Sequence, residues 1–183
     1  MVAKLSKKNE MPECTMPNAD VTEYEDATPP PADLIKSIAE QGYTLQAALA
    51  DLIDNSISAR ANRVELLIDP SKEPFKLFIS DNGEGMSEEI LKLAMKLPSQ
   101  SPAASRNAND LGRFGLGLKT ASFSQTRRFT VISRKKGSTK YSARSWDLKV
   151  LEEGLWRIAV NSQSEINEYL LEYHKLSATF YNQ

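Results

Sequence analysis

The segment from Phe75 to Met86 constrains this chain more than any other. An apolar run, Phe75-Lys76-Leu77-Phe78-Ile79-Ser80, reads as a strand and passes straight into Asp81-Asn82-Gly83-Glu84-Gly85-Met86. The two nearby glycines let backbone turn tightly or approach another group closely. One reading of Asn82-Gly83 is a hairpin turn. The other is a strand leading into a helix, because Ser87-Glu88-Glu89-Ile90-Leu91 resembles a helix start with acids in its first turn. Both readings fit the segment taken alone. Asp81, just past the strand, is an acceptor-only group suited to an exocyclic amine such as that of adenine.

The neighbouring sequence predicts alternating helices and strands. Helices are expected from Ala32 to Gln41, closed by Gly42, and from Thr44 as N-cap to about Ala59. A strand from Arg63 to Asp69 precedes the Phe75 strand across the turn-prone Asp69-Pro70-Ser71. Further on, a glycine-led helix reaches about Ser124, and strands span Arg128 to Arg134 and Lys140 to Leu148. A short strand near Trp156 to Val160 and a helix from Ser164 to about Tyr181 follow. Residues 1–31 mix Lys, Glu, Asp and Pro and end in Pro29-Pro30-Pro31, which suits an extended or flexible arm. Residues 32–183 are then expected to form one domain of α+β class.

On a helical wheel, Leu45, Ala48, Leu49, Leu52, Ile53 and Ile57 fall on one side of the second helix. Ala47, Asp51, Asp54, Asn55 and Ser58 fall on the other. Asp51 and Asn55 are four residues apart and share a face, where a carboxylate can orient water while an amide oxygen holds a cation. The plainer reading is a wet helix face that carries Asp and Asn for solubility.

From Leu97 to Arg113 the chain is polar, small and interrupted by Pro98 and Pro102, longer than an ordinary connection and therefore a candidate lid. Gly112-Arg113-Phe114-Gly115-Leu116-Gly117-Leu118-Lys119-Thr120 follows and opens a helix whose free N–H groups could cradle phosphates. A Walker A loop is excluded because Leu118 separates Gly117 from Lys119 and no apolar strand precedes Gly112. The dinucleotide fingerprint fails as well, since the glycines read G-x-x-G-x-G with no acid about twenty residues on. A glycine hinge without ligand is the plain alternative.

Taken in order, Asp51-Leu-Ile-Asp54-Asn55-Ser56, Asp81-Asn-Gly83-Glu-Gly85-Met86 and Gly112-Arg-Phe-Gly115-Leu-Gly117 resemble the N, G1 and G2 boxes of the GHKL superfamily, most closely its chaperone-like and MORC-like branch. The resemblance covers about residues 32–150. It implies a Bergerat fold, a two-layer α/β sandwich with a mixed sheet covered by helices on one face, and it implies ATP and Mg²⁺ as cofactors. By resemblance, Asn55 coordinates Mg²⁺, Asp81 bonds the adenine amino group, and Gly83, Gly85 and Met86 shape the base pocket. Gly112, Arg113, Phe114, Gly115, Leu116 and Gly117 close over the phosphates, with Lys119 as a further phosphate contact; a Lys on a helix surface is also commonly just solvated.

Asp51 stands where hydrolysing members place Glu, one methylene longer, and Ser58 stands where Asp is frequent. Family members also carry a later Gly-Thr strand whose Thr supports the adenine-binding Asp. No Gly-Thr pair occurs before Gln183, so the expectation is an N-terminal fragment of a longer protein, with Thr130 as the alternative substitute.

The functional expectation is Mg-dependent ATP binding with hydrolysis, a nucleotide-responsive lid and homodimerisation. A non-hydrolysing nucleotide sensor is the alternative. A histidine-kinase catalytic domain is disfavoured by the acid four residues before Asn55. A DNA-associated module is suggested by Arg127, Arg128, Arg134, Lys135, Lys136 and Lys140 around one hairpin, although 23 basic against 24 acidic residues give no global field for nucleic acid. One Cys and one His leave no zinc set, and no apolar run approaches membrane length. A cytoplasmic protein without membrane partners is expected.

Overall fold

The computed structural model describes residues 25, 27–40, 43–97 and 117–181. The first helix, α1 (Pro31–Ala39), begins with proline at its first position, where a missing N–H costs nothing, and turns Ala32 and Ile35 inward. It ends at Ala39 with Glu40 as C-cap, while Gln41 and Gly42 lie outside the described residues. In α2 (Leu45–Ser58) the Thr44 hydroxyl accepts from the Ala47 N–H at 3.2 Å, as its N-cap sequence predicts.

Strands β1 (Val64–Asp69) and β2 (Lys76–Asp81) pair antiparallel, with Val64 opposite Asp81 and Asp69 opposite Lys76. Beyond β2 the chain enters α3 (Glu88–Met95), capped by Ser87, so the strand-to-helix reading of the Asn82-Gly83 segment is the one realised. Next come α4 (Gly117–Gln125), β3 (Arg128–Ser133) and β4 (Ser142–Asp147). A short α5 (Leu148–Glu152), β5 (Ala159–Val160) and α6 (Gln163–Tyr181) complete the order. Helix α5 begins where the expected strand was to end, in a stretch with no predicted element: the Asp147 carboxylate accepts from the Lys149 N–H and caps a turn that buries Leu148 and Leu151.

The α+β architecture is as expected, and one detail differs. The described strands form two antiparallel sheets, β1-β2 and β3-β4-β5, in place of one mixed sheet. Where β2 approaches β3 the contact is a joint and not a ladder: Lys136 N–H donates to the Glu84 carbonyl and Met86 N–H to the Ser133 hydroxyl, both at 2.8 Å. Arg144 and Trp146 point to α3, Ala143 and Ser145 on the opposite face are equally buried, and α6 packs against β4 and β1.

The core joins α1, α3, α4, α5 and β4 through Ile35, Leu91, Met95, Phe123, Trp146 and Leu151. Phe123 meets Phe129 and Trp146 edge-on, at 5.1 and 5.9 Å between ring centroids. Such pairs contribute about 0.5–1.5 kcal/mol each beyond burial. The Trp146 indole N–H donates to the Met95 carbonyl at 3.0 Å, satisfying one of the orphan acceptors at the end of α3.

Candidate nucleotide site

Small residues set the geometry of the site. Ala48 and Ser56 are buried on α2 at a spacing that continues through Leu52, and this seam lets α4 approach closely. The inward stripe is therefore narrower than the wheel suggests: Leu45 and Ile57, expected on the apolar side, are exposed. The seam leaves Asp51 half-buried and Asn55 exposed beside it.

The far end of α2 meets the β2 exit. Ser56 Oγ donates to Asp81 Oδ2 at 3.3 Å, and the Gly83 N–H donates to Asp81 Oδ1 at 2.8 Å. Both oxygens of the carboxylate expected to read adenine are thus oriented from behind. Thr130, the substitute support the sequence offers, instead pairs its hydroxyl with Ser145 at 2.7 Å, with Ser145 in turn donating to Asn161. Thr130 does not support Asp81, because its side chain faces the β3–β4 ladder. Ser56 takes that place, and its signal in the sequence is its position in register with Ala48 and Leu52.

Both glycines of this segment are required by packing. A Cβ on Gly83 would stand 2.6 Å from the Ala59 carbonyl oxygen. At Gly85, where φ is +60°, it would stand 2.0 Å from the Arg134 carbonyl oxygen. Asn82 stitches the same corner: its Oδ1 accepts from the N–H groups of Asn62 and Arg63, and its Nδ2 donates to Asn62. Met86 packs on the central core. The β2 exit is therefore clamped between the end of α2 and the end of β3.

Asp51 is held differently. The Tyr43 hydroxyl donates to Asp51 Oδ2 at 2.5 Å, and the Gln125 side-chain amide donates to the Tyr43 carbonyl at 3.2 Å. The hydrogen bond to Asp51, together with burial, pushes the Tyr43 hydroxyl above its ordinary pKa. Tyr43 lies before the helix and eight residues from its partner, a spacing that no helical pattern marks.

Of the third motif, Gly112, Arg113, Phe114, Gly115 and Leu116 lie outside the described residues, as does the candidate lid beyond Leu97. Gly117 opens α4 with open space around its Cβ position. Lys119 departs from expectation. It is 2% exposed, its Nζ donates to the Ala94 carbonyl at 2.7 Å, and burial lowers its pKa to about 8. Its ammonium is turned into the α3–α4 seam and is not solvated, because a carbonyl left free in the last turn of α3 accepts from it there.

The basic hairpin is largely neutralised. Lys136 pairs with Glu84, Lys140 and Arg144 with Glu88, Arg127 with Glu152 and Arg128 with Asp147. Arg134 stacks over Tyr141, 4.9 Å from the ring centroid. Arg144 and Lys140 together hold the Glu88 carboxyl below its usual range. Among the described residues no helix is long and apolar enough to cross a membrane.

A family model described as "Histidine kinase-, DNA gyrase B-, and HSP90-like ATPase" matches residues 43–178. Similar curated proteins are named DNA mismatch repair protein MutL. That of Leptospira biflexa is 30% identical over 154 residues, covering 82% of this chain and 24% of the relative. That of Shewanella loihica is 36% identical over 103 residues, 55% and 15% respectively. In Microcystis aeruginosa the figures are 38% over 79 residues, 42% and 14%. The chain spans about a quarter or less of the length of these relatives.

Proposed function

The chain belongs to the histidine kinase-, DNA gyrase B- and HSP90-like ATPase family, and from that membership we propose that it binds Mg-ATP at the corner between α2 and the β2 exit and hydrolyses it. The observation that carries this reading is the Asp81 carboxylate, oriented through both oxygens by Ser56 and Gly83 and standing at the end of the helix that bears Asn55 and Asp51. An oriented acceptor at a solvent-facing strand exit suits the amino group of adenine. Gly83, Gly85 and Met86 form its rigid surround, and the stretch Gly112 to Gly117 supplies phosphate contacts.

Asn55 presents an exposed amide oxygen, a hard ligand of the kind magnesium accepts alongside phosphate and water oxygens. Among the described residues no group of three or more His, Cys, Asp or Glu could hold a metal unaided, so the donor set fits an ion that arrives with the nucleotide. Held by Asn55, Mg²⁺ would neutralise phosphate charge. Asp51, one turn before Asn55, orients the attacking water and accepts its proton.

Calorimetry with Mg-ATP and with ADP on the wild type and Asp81→Asn tests the binding half. Strong loss of affinity in the variant supports the adenine assignment, and unchanged affinity removes it. Steady-state ATPase of the wild type beside Asp51→Ala tests the chemical half: equal background rates leave a nucleotide sensor. Nucleotide-dependent dimerisation, read by light scattering with and without Mg-ATP, belongs to the same proposal. A DNA role, which the relatives' name suggests for those proteins, gains no support from a hairpin whose cations are mostly paired. Salt-dependent DNA binding is its test.

A further inference from the structure

We propose that Tyr43 is the positioning residue of the hydrolytic site: its hydroxyl fixes one oxygen of Asp51 so that the other is presented to the attacking water. The inference rests on the hydrolytic reading of Asp51 above. An aspartate in place of glutamate reaches less far, so its carboxylate has little tolerance for rotation. A single well-placed donor removes that freedom. The Tyr43–Asp51 distance of 2.5 Å lies in the short range characteristic of hydroxyl donors to ionised carboxylates.

Two features make Tyr43 a fixed donor and not a passing contact. Its own main chain is tied down, since the Gln125 amide donates to the Tyr43 carbonyl at 3.2 Å and also to the neighbouring Ser124 hydroxyl at 3.0 Å. Gln125 is the last residue of α4, the helix that begins at Gly117, so the tyrosine is referenced to the helix packed against α2. Its hydroxyl also keeps its proton throughout the neutral range, because the bond to Asp51 and burial both raise its pKa. Asp51, acceptor-only as a carboxylate, then has one oxygen occupied, and among the described residues no donor is seen on the other.

The test is a cycle of Tyr43→Phe, Asp51→Ala and the double variant, read by kcat, KM and calorimetric affinity for Mg-ATP. Tyr43→Phe keeps the ring and removes only the donor, and thermal melting checks that the fold is retained. Expected is a fall in kcat of about ten- to hundredfold, the scale of a small misplacement of a catalytic group, with KM and affinity within about twofold of wild type. In the Asp51→Ala background, Tyr43→Phe should produce no further loss, because its effect passes through the carboxylate. An unchanged kcat in Tyr43→Phe, a parallel loss of affinity, or an equal loss in the Asp51→Ala background each overturns the inference while leaving hydrolysis intact. A wild type that binds Mg-ATP without turnover above Asp51→Ala overturns both readings together.

Discussion

The two aspartates of the site are held in contrasting ways. Asp81 sits in a frame of backbone and short side chains, with the Gly83 N–H and Ser56 hydroxyl behind it and two glycines packed against carbonyls of Ala59 and Arg134. Among the described residues, Asp51 is held by one long side chain, Tyr43, anchored through Gln125. A base-reading acceptor needs a constant position in every nucleotide state. In the proposed role for Asp51, a carboxylate that meets water needs one oxygen left open, which a single donor allows more readily than a backbone frame.

The sharpest way to break this contrast is Gly85→Ala. The added methyl would collide with the Arg134 carbonyl at a backbone conformation unfavourable to alanine, so unfolding free energy should fall by roughly 3 kcal/mol or more. Urea denaturation measures this, and a change under about 1 kcal/mol would show the frame to be soft.

Lys119 tests the helix on which the Asp51 end rests. Its folded pKa of about 8 lies below the 10.5 of an ordinary lysine, so the unfolded chain binds more protons between these values and stability rises with pH across that window. The full contribution approaches about 3 kcal/mol. Subtracting the pH profile of Lys119→Met from that of the wild type isolates it, and superimposable slopes would show that the ammonium is hydrated.

Ser56→Ala loosens Asp81 without removing its backbone donor. Mg-ATP affinity should fall about fivefold, near 1 kcal/mol, with kcat at saturating nucleotide unchanged, as calorimetry and steady-state kinetics can determine. Smallest of all is Lys76→Ala. Lys76 and Glu172 join β2 to α6 across 2.7 Å but remain partly exposed, so thermal unfolding should shift by less than about 1 kcal/mol. A larger loss would mean that the β1-β2 hairpin is held from outside and not by the clamp at Gly83 and Gly85.

Local structure was widely legible. Thr44 and Ser87 cap the helices their positions predict, the β1 and β2 strands end within one residue of expectation, and Asp81 meets Ser56 on α2, the helix that also carries Asp51 and Asn55. Helix α5, lying between two expected strands, is not legible because five residues carry too little periodicity. The single mixed sheet was inferred through resemblance, and it gave way to two antiparallel sheets joined at Glu84 and Met86.

By itself, the order of residues determined the capped helices, the glycines at the tight corner and the chemical types available to meet a nucleotide. These depend on interactions within a few residues or on backbone freedom at single positions. Tertiary structure alone decided that Ser56 and not Thr130 supports Asp81, that Tyr43 holds Asp51, and that Lys119 turns into the α3–α4 seam. Each of these is a bond between elements, made when packing brings one donor to one acceptor, and neither spacing nor composition encodes which pair will meet.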